Sequence, residues 1–289
     1  MSLSIIQERL SSYQTNTVLE QEHALKEIAQ EIALMALART GFFKIAAFQG
    51  GTCLRILYGL ERFSEDLDFS LLTPNLTFTW QPHLQSMSEE FKAYGFALEV
   101  QDRTKINKAV KIAFLKADSA GGLLIIKDLK THQPKLRIKL EMDTNPPEGA
   151  HYDLKYLDFP MSFSIQTHDV PSLFSGKCHA LLCRPYVKGR DWYDFVWYIA
   201  RKTPINFPLL TQALQQAGPW AGQAMAVTPS WLIHTFTEKI NTLDWDLAKQ
   251  DVAVFLKPKD LPTLETWSPA FFHSRVEKLK EYLKETVTF

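Results

Sequence analysis

The residues with the strongest chemical potential lie in one run, QGGTCLRILYGLERFSEDLDFSL, at positions 49–71. Gly50-Gly51-Thr52 opens an apolar, helix-like stretch, and thirteen residues, Cys53 to Glu65, separate it from Asp66-Leu67-Asp68. Glycines let a phosphate come close to backbone N–H groups, and a helix N-terminus adds partial positive charge. Strand alternation puts Asp66 and Asp68 on one side, where the two carboxylates repel unless a cation such as Mg2+ lies between them. A third carboxylate comes from LRIKLEMD, in which Arg137, Lys139, Glu141 and Asp143 alternate with Leu136, Ile138, Leu140 and Met142. Three carboxylates from two adjacent strands are what two-metal phosphoryl or nucleotidyl transfer needs. Each half alone has a plainer reading. Gly-Gly is common turn chemistry, Asp-x-Asp on a strand can be a solvated edge, and Glu141 can simply pair with Lys139 or Arg137.

A second group lies near residue 180. In a helix beginning near Pro171, Lys177 is one turn from Leu173 and Phe174 and one from Ala180 and Leu181, surroundings in which an ammonium needs an anionic partner. A triphosphate would serve, and a lysine reaching out to solvent is the alternative. Arg190, Asp191 and Asp194 open the next helix, where Asp191 also suits the N-terminal dipole. Cys178-His179-x3-Cys183 lacks a fourth ligand at zinc spacing and sits in an apolar helix, so core packing is the better reading.

These groups need elements to position them. Val18 to Arg39 has mostly helical apolar spacing with a stop at Gly41. FFKIAAF, residues 42–48, reads as a buried strand entering the Gly50-Gly51 turn. Thr52 then caps a helix ending near Gly59, Glu61 to Asp66 is a polar turn, and Leu67 to Leu72 alternates as a strand with Asp66, Asp68 and Ser70 facing away from Leu67, Phe69 and Leu71. Residues 83–95 look helical. Segments 97–103, 109–116, 122–127 and 135–143 read as strands, with TKINK and ADSAG as turns. YDLKYLDF and SFSIQTH add two weaker strands. Beyond Val170 the expected helices are 171–183, 190–202, 207–217, 228–241, 244–256 and 269–286. The aromatic run Trp192 to Tyr198 occupies several faces of its helix, as in a core helix. The organisation read from this is a mixed α/β domain over 1–165 and a helical domain over 166–289.

The 289 residues are 46% hydrophobic and 12% aromatic, with 32 basic and 32 acidic side chains, which is globular composition rather than disordered. The charge is uneven: residues 103–139 carry ten basic groups against two acidic ones, from Arg103 to Lys139. Such a stripe suits nucleic-acid phosphates, or equally a hairpin edge protected by lysines. The odd count of three cysteines, Cys53, Cys178 and Cys183, implies at least one free thiol and a reducing compartment. No signal peptide or apolar membrane span is visible, so the expectation is a soluble cytoplasmic protein.

The pattern Gly51-Thr52, thirteen residues, Asp66-Leu67-Asp68 resembles the first motif of the DNA polymerase β-like nucleotidyltransferases. More narrowly, GGTCLRILYGLERFSEDLDFSL, LRIKLEMD and LFSGKCHALLCRPYVKGRDWYDFVWYIA are similar to the AbiEii/AbiGii toxin family over about residues 44–200. That resemblance implies a nucleotidyltransferase-fold α/β domain followed by helices, with the site in the cleft between them. It implies Mg2+ held by Asp66, Asp68 and Glu141, and an NTP whose phosphates meet Gly50, Gly51, Thr52 and Lys177. Asp191 would orient Lys177 or help activate the acceptor, and Arg55, Lys139, Glu141 and Asp194 join the substrate-binding set. The implied role is transfer of a nucleoside monophosphate to an acceptor hydroxyl, with tRNA 3′ ends the foremost acceptor, by the toxin of a type IV toxin–antitoxin or phage-abortive system restrained by a cognate antitoxin. Transfer to a protein side chain or small molecule, or a catalytically silent nucleotide-binding module, are the alternatives.

Overall fold

The computed structural model of the protein describes residues 2–13, 15–102, 119–128 and 134–286. The chain forms two compact units: Met1–Pro146 with Tyr152–Thr167, and Pro147–His151 with His168–Phe289. Among the described residues, no helix is long and apolar enough to cross a membrane.

The first unit opens with α1 (Ser2–Ser11), which sequence periodicity does not announce, and α2 (Val18–Arg39). Thr17 and Glu20 form a reciprocal capping box at the start of α2: Glu20 N donates to Thr17 Oγ1 at 3.2 Å and Thr17 N to Glu20 Oε2 at 2.9 Å. From Ile28 to Leu37 α2 is buried all round, so it serves as a core element rather than an amphipathic cover. The expected strand over 42–48 is shorter. Phe42–Lys44 is a 3-10 turn and only Ala46–Gln49 forms β1. The reason is packing, since Phe42 is fully buried with its ring 5.0 Å from Phe69 and 5.5 Å from Trp80. A short apolar run fits a buried turn as well as a strand.

There follow α3 (Gly50–Tyr58), β2 (Leu67–Leu71), α4 (Gln81–Ala93), β3 (Phe96–Asp102), β4 (Ser119–Asp128), β5 (Pro134–Asp143), β6 (Tyr152–Leu157) and β7 (Phe163–His168). The strands make one seven-stranded sheet in the order β3-β4-β5-β2-β1-β7-β6. β2 runs antiparallel to β1 and parallel to β5, and β1 is parallel to β7, so the sheet is mixed. The expected strand 109–116 and the TKINK turn lie outside the described residues. Ser119 to Gly121, expected in a turn, belong to β4. Of the basic stripe, Arg103, Lys105, Lys108, Lys111, Lys116 and Lys130 also lie outside them. Ser70 is 1% exposed, so the polar side of β2 is covered there rather than solvated.

Polar groups tie α1, α2 and the loop before β2 together. Arg9 Nη2 lies 2.6 Å from Glu31 Oε1, Tyr13 Oη donates to Glu27 Oε1 at 3.0 Å, and Arg55 Nε donates to Glu27 Oε2 at 2.7 Å. Gln30 Nε2 donates to the Ser64 carbonyl at 3.2 Å, and Lys26 pairs with Glu65 at 3.0 Å. Burial pushes the Glu31 carboxyl up from 4.5 to about 7, outweighing the pull of Arg9, with the like charge of Glu27 adding to the shift. Because the folded value is the higher one, this proton's contribution is fully present below pH 4.5 and lost as pH rises through about 7. The loss reaches about 3 kcal/mol. Thermal melts from about pH 5 to about pH 8 are expected to show falling stability in the wild type and a flatter profile in Glu31→Gln.

The second unit contains α5 (Val170–Cys183), α6 (Gly189–Ala200), α7 (Phe207–Gln216), α8 (Pro229–Asn241), α9 (Trp245–Ala253), a 3-10 segment Pro258–Thr266, and α10 (Pro269–Thr286). Side-chain caps set several starts: Ser172 N donates to Asp169 Oδ1 at 2.8 Å, Leu209 N to Asn206 Oδ1 at 3.1 Å and Trp231 N to Thr228 Oγ1 at 3.2 Å. The core is aromatic. Trp192 of α6 lies 5.2 Å from both Trp245 and Phe272, which stack on each other at 4.0 Å.

Candidate active site

In the first unit, β1 leads directly into α3, and the chain turns at Gly50, whose φ of +82° is left-handed. A Cβ at Gly50 would fall on the Asp68 carboxylate, so the carboxylate lies against the bare backbone at the helix mouth. A Cβ at Gly51 would come within 2.5 Å of Arg62 Nη2 and 3.2 Å of Ser64 Oγ. Both glycines are therefore required by close approach, one to an anion and the other to a cation. Gly50→Ala combines roughly 1–2 kcal/mol of backbone strain with displacement of Asp68. Transfer activity is expected to fall about 100-fold, with a modest loss of thermal stability, in parallel rate and melting measurements.

Thr52 is not the helix cap: Gln49 holds that position and Thr52 is the third residue of α3. Its hydroxyl instead donates to the carbonyl of Asp66, joining the helix to the residue that precedes β2. Strand pairing then sets the carboxylates. Asp68 is in register with Gln49 on one side and Glu141 on the other, and Ser70 is in register with Asp143. Lys139 forms an ion pair with Glu141. Burial works against the charge on Lys139, but Glu141, then Asp66 and Asp68, outweigh it and raise its pKa. One ammonium thus sits in the field of all three carboxylates.

Among the described residues no group of three or more His, Cys, Asp or Glu side chains gathers closely enough to hold a metal on protein ligands alone. The donor set is nevertheless right for Mg2+, which typically takes one or two carboxylates and fills its shell with water and substrate phosphate oxygens. Asp66 and Asp68 fit that pattern. Arg55 commits its guanidinium to Glu27 and, through Nη1, to the carbonyls of Leu60 at 3.0 Å and Glu61 at 2.8 Å. It closes the loop between α3 and β2. The turn expected to be polar holds Arg62 and Phe63 at 2% and 3% exposure. Arg62, packed under Gly51, was missed by spacing arguments; its only sequence signal is a charge between Leu60 and Phe63.

In the second unit, α5 carries Lys177 and α6 carries Asp191 and Asp194 one turn apart. Lys177 Nζ lies 2.6 Å from Asp191 Oδ1 and 2.8 Å from Asp194 Oδ2. The lysine does not reach for solvent, since its side chain is 11% exposed, and the anionic partners its apolar surroundings demand come from α6. Arg184 Nε stands 3.1 Å from Asp191 Oδ2. Burial raises the Asp191 carboxyl, but Lys177, Arg184 and Lys188 together hold it well below the usual carboxylate range. Lys188 is pushed down by burial and by Arg184, Arg190 and Lys177, against the attraction of Asp191. Arg190 stacks on Phe255 at 4.2 Å and lies 3.8 Å from Asp251.

Cys178 and Cys183 are buried and free, as is Cys53, and burial raises all three thiols, which makes them unreactive. His179 meets the Ala217 carbonyl at 3.1 Å, which suits the packing reading over a zinc site.

The sequence profile of the family described as "Nucleotidyl transferase AbiEii toxin, Type IV TA system" matches residues 32–272. No curated protein matches in sequence. Among solved structures, the chain is similar to a candidate nucleotidyltransferase from H. pylori, at 15% identity and TM-score 0.46, over 89% of this chain and 90% of that one. It is also similar to JHP933 from Helicobacter pylori, at 16% identity and TM-score 0.44, over 91% and 97%. The match over residues 32–272 takes in both the Gly-Gly-Thr/Asp-x-Asp run and the Lys177 cluster, and this chain belongs to the AbiEii family of nucleotidyltransferase toxins of type IV toxin–antitoxin systems.

Proposed function

We propose that the protein moves a nucleoside monophosphate from an NTP to a hydroxyl at the 3′ end of an RNA, with tRNA the foremost acceptor. The supporting observation is the Asp68 carboxylate lying against Gly50 at the mouth of α3, in register with Glu141. This sets an anionic ligand beside backbone suited to receive phosphate. Asp66 and Asp68 would hold Mg2+, which when bound supplies charge neutralisation on the triphosphate and lowers the pKa of an oxygen ligand. Gly50 and Gly51 give the phosphates access to the backbone, and Thr52 fixes Asp66 through its carbonyl. Arg55 acts indirectly by holding the loop before Asp66.

Lys139 neutralises the carboxylates before substrate arrives, and Glu141 holds Lys139. Lys177 would serve as a phosphate-binding cation, with Asp191 and Asp194 positioning its ammonium. A carboxylate held as low as Asp191 is a poor base, which favours positioning over proton abstraction. The bond from acceptor oxygen to the α-phosphorus forms as the bond to pyrophosphate breaks, and the acceptor proton leaves to solvent. Toxicity follows from blocked RNA ends, with a cognate antitoxin as the counterweight and a role in phage defence.

The test incubates purified protein with each α-32P-labelled NTP, Mg2+ and total tRNA, with an EDTA arm. Metal-dependent label on RNA supports the reading. Label on protein or on a small molecule instead overturns the RNA acceptor and keeps the chemistry, and no label in any arm favours a silent nucleotide-binding module.

A further inference from the structure

The loop joining α5 to α6 has features that nucleotide binding at Lys177 leaves unexplained. Its one aromatic side chain, Tyr186, is 47% exposed, whereas Trp192, Phe195, Tyr198 and Phe272 of the same unit are buried. The ring is tethered: Arg184 Nη1 donates to Tyr186 Oη at 2.8 Å, with the guanidinium carbon 5.6 Å from the ring centroid. The same guanidinium reaches Asp191 at 3.1 Å, and Asp191 holds Lys177 at 2.6 Å. A continuous polar chain thus runs from the lysine to the exposed ring.

The loop is also held at both ends. Arg184 N donates to the Ala180 carbonyl at 3.1 Å, Lys239 Nζ donates to the Arg184 carbonyl at 2.8 Å, and Asp191 N donates to the Lys188 carbonyl at 3.0 Å. Pro185 restricts the backbone between them. Lys177, Arg184 and Arg190 crowd Lys188, each of them lowering its pKa beside the larger effect of burial and against the attraction of Asp191. A bound anion would ease that crowding of like charge.

We propose that residues 184–188 receive the single-stranded 3′ end of the acceptor RNA, with Tyr186 stacking on a nucleobase while Arg184 and Lys188 contact the flanking phosphates. This deepens the RNA-acceptor reading given above and rests on it. An exposed aromatic ring held by a guanidinium, with a second cation two residues on in the sequence, suits a single strand held by stacking and phosphate contact without reading sequence.

The experiment measures binding of a fluorescent single-stranded RNA of about 12 nucleotides by anisotropy, alongside KM for the NTP, in the full-length wild type, Tyr186→Ala, Tyr186→Trp and Lys188→Ala. Tyr186→Ala is expected to weaken RNA binding roughly tenfold with NTP KM and melting temperature unchanged, and Tyr186→Trp to restore it. Lys188→Ala is expected to flatten the salt dependence of RNA binding by about one unit of slope. If wild type and Tyr186→Ala bind RNA equally, the platform is wrong while the RNA reading stands. A raised NTP KM in Tyr186→Ala would reassign the ring to the donor nucleotide and overturn the proposal. No RNA binding by the wild type at low salt overturns the RNA reading and the platform together.

Discussion

Asp68→Asn is expected to cut nucleotidyl transfer by about 10³-fold or more while leaving the protein folded. The amide keeps the shape of the carboxylate but removes the charge that a divalent cation needs, and several kcal/mol of transition-state stabilisation go with it. The fold is expected to tolerate the change because the amide keeps the shape and Glu141 and Asp66 still face Lys139. Removing one of three neighbouring carboxylates relieves repulsion. Initial rates of label transfer and a melting curve, measured side by side, check both halves. A variant retaining a tenth of wild-type activity would remove Asp68 from the site.

Lys177→Met is expected to be damaging twice over. Nζ lies 2.6 Å and 2.8 Å from two carboxylates whose side chains are 4% and 0% exposed, so the substitution takes a cation from two buried carboxylates, although Arg184 and Lys188 still face Asp191. Breaking a buried pair in this way costs about 3–5 kcal/mol, and on the role proposed for Lys177 the loss of its cation lowers activity by about 10²-fold or more. The two effects separate in the double variant Lys177→Met/Asp194→Asn, which removes one buried acid together with the lysine and leaves Asp191 to Arg184 and Lys188. Its melting temperature is expected to recover towards wild type with activity still absent. The pairing also resists acid: Asp191 has a folded pKa below its unfolded one, so its contribution is present above the ordinary carboxylate range and is lost only as pH falls well below it. A double variant that regains activity would show Lys177 to be structural alone.

The strand, glycine turn, helix and second strand that carry Gly50 to Asp68 were legible because local rules act on them: a buried β-run, left-handed glycine, and alternation of Asp with Leu and Phe. Likewise the three-residue spacing of Asp191 and Asp194 identified one helical face. What closes on what was not legible, because it is set by contacts distant in sequence. Thr52 looks like a cap by position yet bonds to the Asp66 carbonyl fourteen residues on, and Arg55 is claimed by Glu27 of a different helix. The pairing of Asp68 with Glu141 depends on β2 and β5 being parallel neighbours in a seven-stranded sheet, which periodicity alone cannot order. α1 has one short apolar face, and what holds it is distant in sequence: Arg9 pairs with Glu31 and lies over the Phe159 ring.

The path of the chain through the two units bears on how the protein is made. Residues 147–151 belong to the second unit, where the Gly149 carbonyl accepts from Asn206 Nδ2 at 2.8 Å and His151 N donates to Ser172 Oγ at 3.0 Å. The chain then returns to lay down β6 and β7, and β7 supplies the parallel neighbour of β1. At ribosomal speeds of about 5–20 residues per second, Asp66 and Asp68 emerge several seconds before the strand that completes their sheet, and longer still before Lys177 and its partners. On the function proposed above, the two aspartates therefore first appear in an unfinished sheet, and toxic activity waits until synthesis has passed Asp194, about two thirds of the way through the sequence.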